Sequence, residues 1–132
     1  MTMKDEIIYL NMIIESLQLL AADPETQIQS LPEYVHIPDE IALIFSDTFQ
    51  LIHQNKNSLL FNDFQFQKLC EIDNYLNNMS EENHKIWTLE ALKENDKWEK
   101  LRKMALVILK SLHIEKQSPN LYWIKYIEGK EP

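Results

Sequence analysis

Glycine is almost absent from this chain of 132 residues: Gly129 is the only one, where average usage would give about nine. Glycine-dependent turns and glycine-rich phosphate-binding loops are therefore nearly excluded, and helices joined by Asn, Ser and Asp loops are favoured. The single cysteine, Cys70, cannot form an internal disulfide, which is typical of a protein from a reducing compartment.

Long apolar runs are also missing, since none approaches the roughly 20 residues that a membrane span needs. The first ten residues include acids, whereas the first region of a signal peptide carries only bases. We therefore expect a cytoplasmic protein with no membrane partner. Hydrophobic residues make up 45% of the chain and charged residues 26%, and the length predicts a single helical domain over residues 1–132.

Bases are missing from a long N-terminal stretch, residues 5–55, although the chain as a whole carries 13 of them. This stretch holds nine carboxylates: Asp5, Glu6, Glu15, Asp23, Glu25, Glu33, Asp39, Glu40 and Asp47. The first hundred residues carry seven bases and eighteen acids, a net charge of −11, whereas six bases face three acids from residue 101 onward. The acidity argues against nucleic acid as a partner and favours a basic protein. The alternative is a solvated face that only maintains solubility.

The strongest helical pattern lies in residues 96–114. Trp98, Leu101, Ala105, Ile108 and Leu112 follow one another at spacings of three and four, which places their side chains on one face of an α-helix. The apolar sector is wide enough to predict a helix in the middle of a bundle. We predict Asp96 as its N-cap, with Glu99 reaching back three residues later.

The rest of the chain predicts three more long helices and two short ones. The long helices cover 4–21, a segment opened by Pro38, and a segment capped by Asn62; the short ones cover 24–30 and 89–94. The fold class is therefore all-α: an irregular antiparallel bundle of four longer helices plus one or two short helices. An aromatic C-terminal tail follows over 115–132, packed on the bundle or partly flexible.

The tail contains an aromatic and β-branched segment at 120–128 that could form a strand, a helix or an extended strap. A lone strand would have no partner to pair with. We therefore predict a tail held over the bundle by Tyr122, Trp123 and Ile124.

Two Glu-x-x-His pairs are the clearest candidate metal ligands: Glu33 with His36, and Glu81 with His84. Two such pairs and two further carboxylates, here Glu15 and Glu71, build a di-iron site in some four-helix bundles. These pairs lie in polar connections, so surface roles are favoured. We expect no cofactor, no metal and no catalytic residue, and a metal-dependent, di-iron-like enzyme is the alternative.

The acidic segment is the sharper functional hypothesis. If Glu33, Asp39, Glu40 and Asp47 share one rim, they mimic a polyanion and occupy the basic cleft of a nuclease. Tyr34 adds an aromatic anchor of the kind that protein interfaces favour. The competing interpretation is that Asp39 and Glu40 only stabilise a helix N-terminus.

Two blocks carry a resemblance, HIPDEIALIFSDTF at 36–49 and IWTLEALKENDKWEKLRKMALVIL at 86–109. Their recurring features are Asp39-Glu40-Ile41-Ala42-Leu43, Trp87-Thr88-x-Glu90-Ala91-Leu92 and Trp98-Glu99-x-x-Arg102-x-x-Ala105. This pattern resembles a group of small, acidic, all-helical bacterial proteins, similar to the immunity proteins of contact-dependent or polymorphic toxin systems.

The resemblance implies a non-enzymatic inhibitor that neutralises a basic toxin or nuclease domain, as a monomer or a homodimer. A further alternative is a homodimeric structural or adaptor protein, joined through the apolar flank of a helix or through the tail at 122–127.

Overall fold

The computed structural model describes residues 3–54, 61–81 and 84–125, and over these residues the protein is entirely helical apart from its connections and tail. The predicted all-α class with four long and two short helices is confirmed. The elements are α1 (Met3–Ala21), α2 (Pro24–Gln29), α3 (Ile37–Gln54), α4 (Asp63–Ser80), a 3₁₀ helix (His84–Trp87), α5 (Leu89–Glu94) and α6 (Asp96–Ser111).

The four long helices form a bundle in which each long helix packs against the next one along the chain. α1 packs against α3 and α6, and α4 packs against the same two helices. The pair α4 and α6 is antiparallel, because Gln65 near the start of α4 donates to the hydroxyl of Ser111 at the end of α6, at 2.9 Å. α5 and the 3₁₀ helix pack beside the bundle, with α5 against α6.

The apolar stripe of α6 lies in the core, as its periodicity predicts. Trp98, Leu101, Ala105 and Ile108 are fully buried, whereas Leu112 at the end of the stripe is half-buried. Inside the core, the indole N–H of Trp98 donates to the carbonyl of Ile86 at 2.7 Å. α6 shares its central position with α1, whose last six residues, 16–21, are all buried.

The N-cap predicted for α6 is wrong by one residue. Asn95 is the cap: its backbone is extended, and its side chain accepts a hydrogen bond from the Lys97 N–H at 2.8 Å. Asp96 is already the first residue of the helix, and Glu99 lies 3.5 Å from the Arg102 guanidinium instead of bonding back to the cap. Asn and Asp are nearly equal as caps, so adjacent residues of these two types leave the choice to the tertiary structure.

Two residues after the end of α6, His113 adopts the left-handed conformation, with φ of 60°, although it is not glycine. The His113 N–H donates to the Lys110 carbonyl at 3.0 Å, and the Ile114 N–H donates to the Leu109 carbonyl at 2.9 Å. This bonding is the Schellman motif, in which glycine usually occupies the position of His113. At this helix end, a residue with a Cβ atom therefore occupies the left-handed conformation, which is less favourable for it than for glycine.

Exchanging His113 for glycine is expected to stabilise the protein relative to His113→Ala by about 1 kcal/mol. Both variants remove the imidazole, but only alanine keeps the Cβ atom, which makes the left-handed conformation unfavourable by about 1–2 kcal/mol. The larger conformational freedom of unfolded glycine offsets part of this difference. Urea denaturation of the two variants measures it, and an alanine variant as stable as the glycine variant would contradict the assignment.

The C-terminal tail runs back along α1. Gln18 of α1 bonds it twice, donating to the Glu115 carbonyl at 2.8 Å and accepting from the Gln117 N–H at 2.9 Å. One turn earlier on α1, Glu15 accepts from the Asn120 N–H at 2.8 Å. Over residues 115–125 the tail therefore contacts α1 and contains no strand. Residues 126–132 lie outside the described part.

The aromatic residues of the tail do not all face the bundle. Trp123 and Ile124 are half-buried against the core, as predicted. Tyr122 is 54% exposed and meets only the edge of the Trp123 ring among the aromatic contacts described, so its predicted packing role is wrong. Tyr122 and Trp123 are the central residues of a turn, in which the Ile124 N–H donates to the Leu121 carbonyl at 3.1 Å. This turn leaves the Tyr122 side chain on the outside.

Candidate functional site

The first two predicted partner-binding residues lie in the turn between α2 and α3. Pro32 begins this turn and disfavours a helical conformation at the residue before it, and Pro38 is the second residue of α3. Glu33 is exposed, and Tyr34 is 51% exposed. The turn thus presents a carboxylate and an aromatic ring ahead of α3.

The remaining three predicted residues lie on the outward side of α3. Asp39 and Glu40 occupy its first turn, where the helix dipole favours negative charge, and Asp47 is exposed two turns later. At about 100° per residue, the three acids fall within one sector of about 100°, with Leu43 inside it. Leu43 is 53% exposed, so the acids surround an apolar side chain.

Two concave sites flank this surface and divide its acids between them. The first, the apolar pocket, has a volume of about 600 Å³ and lies between α3, α4 and the 3₁₀ helix. It is lined by His36, Asp39, Ala42, Leu43, Leu76, Asn77, Ser80, Trp87 and Thr88. At its rim, Nδ1 of His36 lies 2.9 Å from the Asp39 carboxylate.

The second concave site, the tail cleft, has a volume of about 340 Å³ and lies between α1, α3 and the tail. Its lining residues are Met12, Glu40, Ile44, Asp47, Thr48, Leu51, Trp123 and Ile124. The structure therefore brings Glu40 and Asp47 together, places Asp39 at the other site, and keeps Glu33 and Tyr34 in the preceding turn.

Among the described basic residues of the C-terminal region, four lysines are exposed and only Arg102 is not. Arg102 is buried: its Nε and Nη2 donate to Oε1 of Gln27 at 3.3 and 3.2 Å, and Nη2 also donates to the Leu92 carbonyl. Burial lowers the pKa of the Arg102 guanidinium. The buried Gln27 in turn donates to the carbonyls of Leu19 and Leu20 at the end of α1. This network therefore connects four helices, α1, α2, α5 and α6, inside the protein.

One lysine of the tail joins the two charged regions. Lys116 lies 2.9 Å from the carboxylate of Asp23, and this hydrogen bond holds the pKa of Asp23 below its ordinary value. The tail therefore brings a base of the C-terminal region against an acid of the base-free stretch over residues 5–55.

The residues of the metal hypothesis do not converge in the described part of the chain. Glu33 and His36 lie in the turn, Glu15 bonds the tail, and Glu71 lies 3.4 Å from Lys68. Glu81 ends α4 and is exposed, and the side chain of His84 lies outside the described residues. Among the described residues, no group of three or more His, Cys, Asp or Glu side chains could hold a metal ion.

Cys70 lies half-buried on α4. Burial raises the pKa of its thiol, and the neighbouring charge of Asp73 raises it further. Because the thiolate is the reactive form of cysteine, this environment disfavours a role as a nucleophile.

The apolar pocket is the part of the site that the sequence did not predict. Leu43 lies outside the buried stripe of α3, and an apolar residue off the stripe is the signal that could have indicated it. Trp87 lies in a 3₁₀ turn whose position no periodicity reveals. The pocket depends on bringing α3, α4 and this turn together.

Comparison of the chain with protein-family models, curated proteins and solved structures gives no match. Of the helices described, none is both long and apolar enough to cross a membrane. The protein is therefore classified by its fold alone. It is an all-helical bundle in which α3 carries acids on its outward side, beside an open apolar pocket, and the tail folds back on α1.

Proposed function

We propose that this protein is a bacterial immunity protein or antitoxin-like inhibitor, which binds a basic toxin domain and performs no catalysis. The observation that supports this proposal is the outward face of α3, where Asp39, Glu40 and Asp47 surround the exposed Leu43. The base-free stretch over residues 5–55 adds to the acidity of the same half of the chain.

An acidic surface of this kind suits a partner that carries a basic cleft. Opposite potentials accelerate encounter and disfavour wrong partners, whereas desolvated apolar and aromatic groups supply much of the affinity. On this surface the carboxylates would meet Lys and Arg side chains of the toxin, and Leu43 and Tyr34 would be its apolar contacts. Inhibition would follow from occupation of the toxin's substrate cleft.

The inner face of α3 holds the acidic face in one orientation. Ile41, Phe45 and Ile52 are buried in the core on that side of the helix. The hydroxyls of Ser16 on α1 and Thr48 on α3 lie 3.0 Å apart, which fixes the two helices against each other. A surface that is already ordered loses less conformational entropy on binding.

The test is co-purification of the tagged protein with the product of the neighbouring upstream gene. We expect a complex at low ionic strength that weakens as salt is added, since exposed charges are screened over about 10 Å at 0.1 M salt. The absence of a complex at low salt would contradict the proposal. A complex whose affinity does not depend on salt would contradict electrostatic recognition.

A further inference from the structure

We infer that the apolar pocket receives the apolar face of a basic amphipathic helix belonging to the partner. This inference deepens the proposed function and rests on it, because it names the part of the toxin domain that this protein would hold. It concerns the pocket between α3, α4 and the 3₁₀ helix, rather than the whole acidic face.

The pocket has an apolar floor with two well-fixed members. Leu76 of α4 is 5% exposed. Trp87 is held by its indole N–H, which donates to the Met79 carbonyl at 3.3 Å, and by the edge-on packing of its ring against Trp98. Ala42 and Leu43 of α3 form the opposite wall. The volume of about 600 Å³ is within the range of about 300–1,000 Å³ that is usual for binding pockets.

Carboxylates lie in and beside this pocket. Asp39 lines it, with Nδ1 of His36 2.9 Å from its carboxylate. Thr88, which lines the same pocket, also borders an adjoining pocket that is lined by Glu90 and Glu94, with Lys85 as its one base. The C-terminus of α4 at Ser80 adds the negative end of a helix dipole to the rim.

This arrangement selects the chemistry of the occupant. An apolar floor with carboxylates in and beside it is complementary to apolar side chains flanked by Lys or Arg, and it disfavours an acidic segment. Helices bind such grooves through apolar residues spaced three or four apart, which leaves their charged residues at the rim. A basic amphipathic helix therefore meets both requirements at once.

The first experiment uses two synthetic 18-residue amphipathic peptides with the same leucines, one with a lysine polar face and the other with a glutamate polar face. Each is titrated into ¹⁵N-labelled protein, and the indole N–H signals of Trp87, Trp98 and Trp123 report the site by NMR. We expect the lysine peptide to shift the Trp87 signal most and the glutamate peptide to shift none. A lysine peptide that does not bind, or that leaves Trp87 unchanged, would overturn the inference.

The matched variants are Leu43→Arg at the pocket and Val107→Arg on α6, since both residues are exposed apolar side chains of long helices. Both variants change the net charge equally. We expect at least tenfold weaker binding of the lysine peptide to Leu43→Arg and a change below twofold for Val107→Arg. Equal affinities of the two variants for the lysine peptide would contradict the inference. Unfolding curves of both variants are recorded to check that each is folded.

The same variants separate this inference from the proposed function. If the upstream gene product binds Leu43→Arg as well as the unmodified protein, the pocket inference fails and the proposed function stands. If that product does not bind at all, but the lysine peptide shifts Trp87, the proposed function fails and the chemistry of the pocket stands. A homodimer in light scattering that Leu43→Arg dissociates would assign the pocket to a second copy and overturn the inference.

Discussion

Trp98→Ala is expected to lower the free energy of unfolding by about 3–5 kcal/mol, as large-to-small changes of buried aromatic residues do. Trp98 is fully buried, and its ring packs edge-on against Trp87 at 5.5 Å between centroids. Its loss also removes the indole donor from the buried Ile86 carbonyl. Because a domain is usually stable by only about 5–15 kcal/mol, much of the variant would be unfolded at elevated temperature. Urea denaturation followed by circular dichroism measures the change.

Trp123→Ala is the matched control for Trp98→Ala. Trp123 is the same residue type, but it lies half-buried on the tail. Its removal exposes less apolar surface and leaves no enclosed cavity, so we expect a loss of about 1 kcal/mol. If Trp123→Ala is as destabilising as Trp98→Ala, α6 is not the centre of the core.

Reversing the acids of α3, in the variant Asp39→Lys/Glu40→Lys/Asp47→Lys, is expected to weaken binding to the proposed toxin partner by roughly 100-fold. About 1 kcal/mol per reversed residue corresponds to a factor of that order for three residues. The loss should appear mainly in the association rate, and the remaining binding should depend less on salt, because rim charges act through steering. Surface plasmon resonance at several salt concentrations gives both quantities.

The control for this variant compares two doubles with the same net charge. Asp39→Lys/Glu40→Lys removes two acids from the first turn of α3, whereas Asp63→Lys/Asp96→Lys removes one each from the first turns of α4 and α6. Both lose a similar interaction with a helix dipole. We expect only the α3 double to weaken binding; equal effects would mean that overall charge, not this surface, matters.

The fold was predictable because its main signals are local. The stripe from Trp98 to Ile108 and the caps at Asn62 and Thr88 all depend on residues within a few positions of one another. In the structure, Asn62 and Gln65 form a reciprocal capping box, and the side chain of Thr88 accepts from the Ala91 N–H. Such patterns require no knowledge of what packs against them.

The features that the sequence left open depend on distant residues. Nothing near Arg102 in the chain indicates that its guanidinium is buried against Gln27, 75 positions away. The path of the tail depends in the same way on Gln18, which is 97 positions from Glu115. The exposure of Leu43 follows from its position on α3, outside the buried stripe. The pocket beside it could not be predicted, because α4 and Trp87 form its other walls.

The same distinction between local signals and distant contacts applies to the predicted binding residues. Asp39, Glu40 and Asp47 lie on one helix, so the 3.6-residue repeat places them on one side without tertiary information. The division of these acids between the apolar pocket and the tail cleft could not be predicted, because it depends on where α4 and Trp123 lie. The proposed interface is accordingly more divided than a single acidic rim.

The most direct test of the central claim is the growth of bacteria that produce the upstream gene product together with this protein. The account predicts that growth is restored by the unmodified protein and by Asp63→Lys/Asp96→Lys, but not by the folded variant Asp39→Lys/Glu40→Lys/Asp47→Lys. Growth that the unmodified protein fails to restore, or that the α3 variant restores equally well, would contradict it.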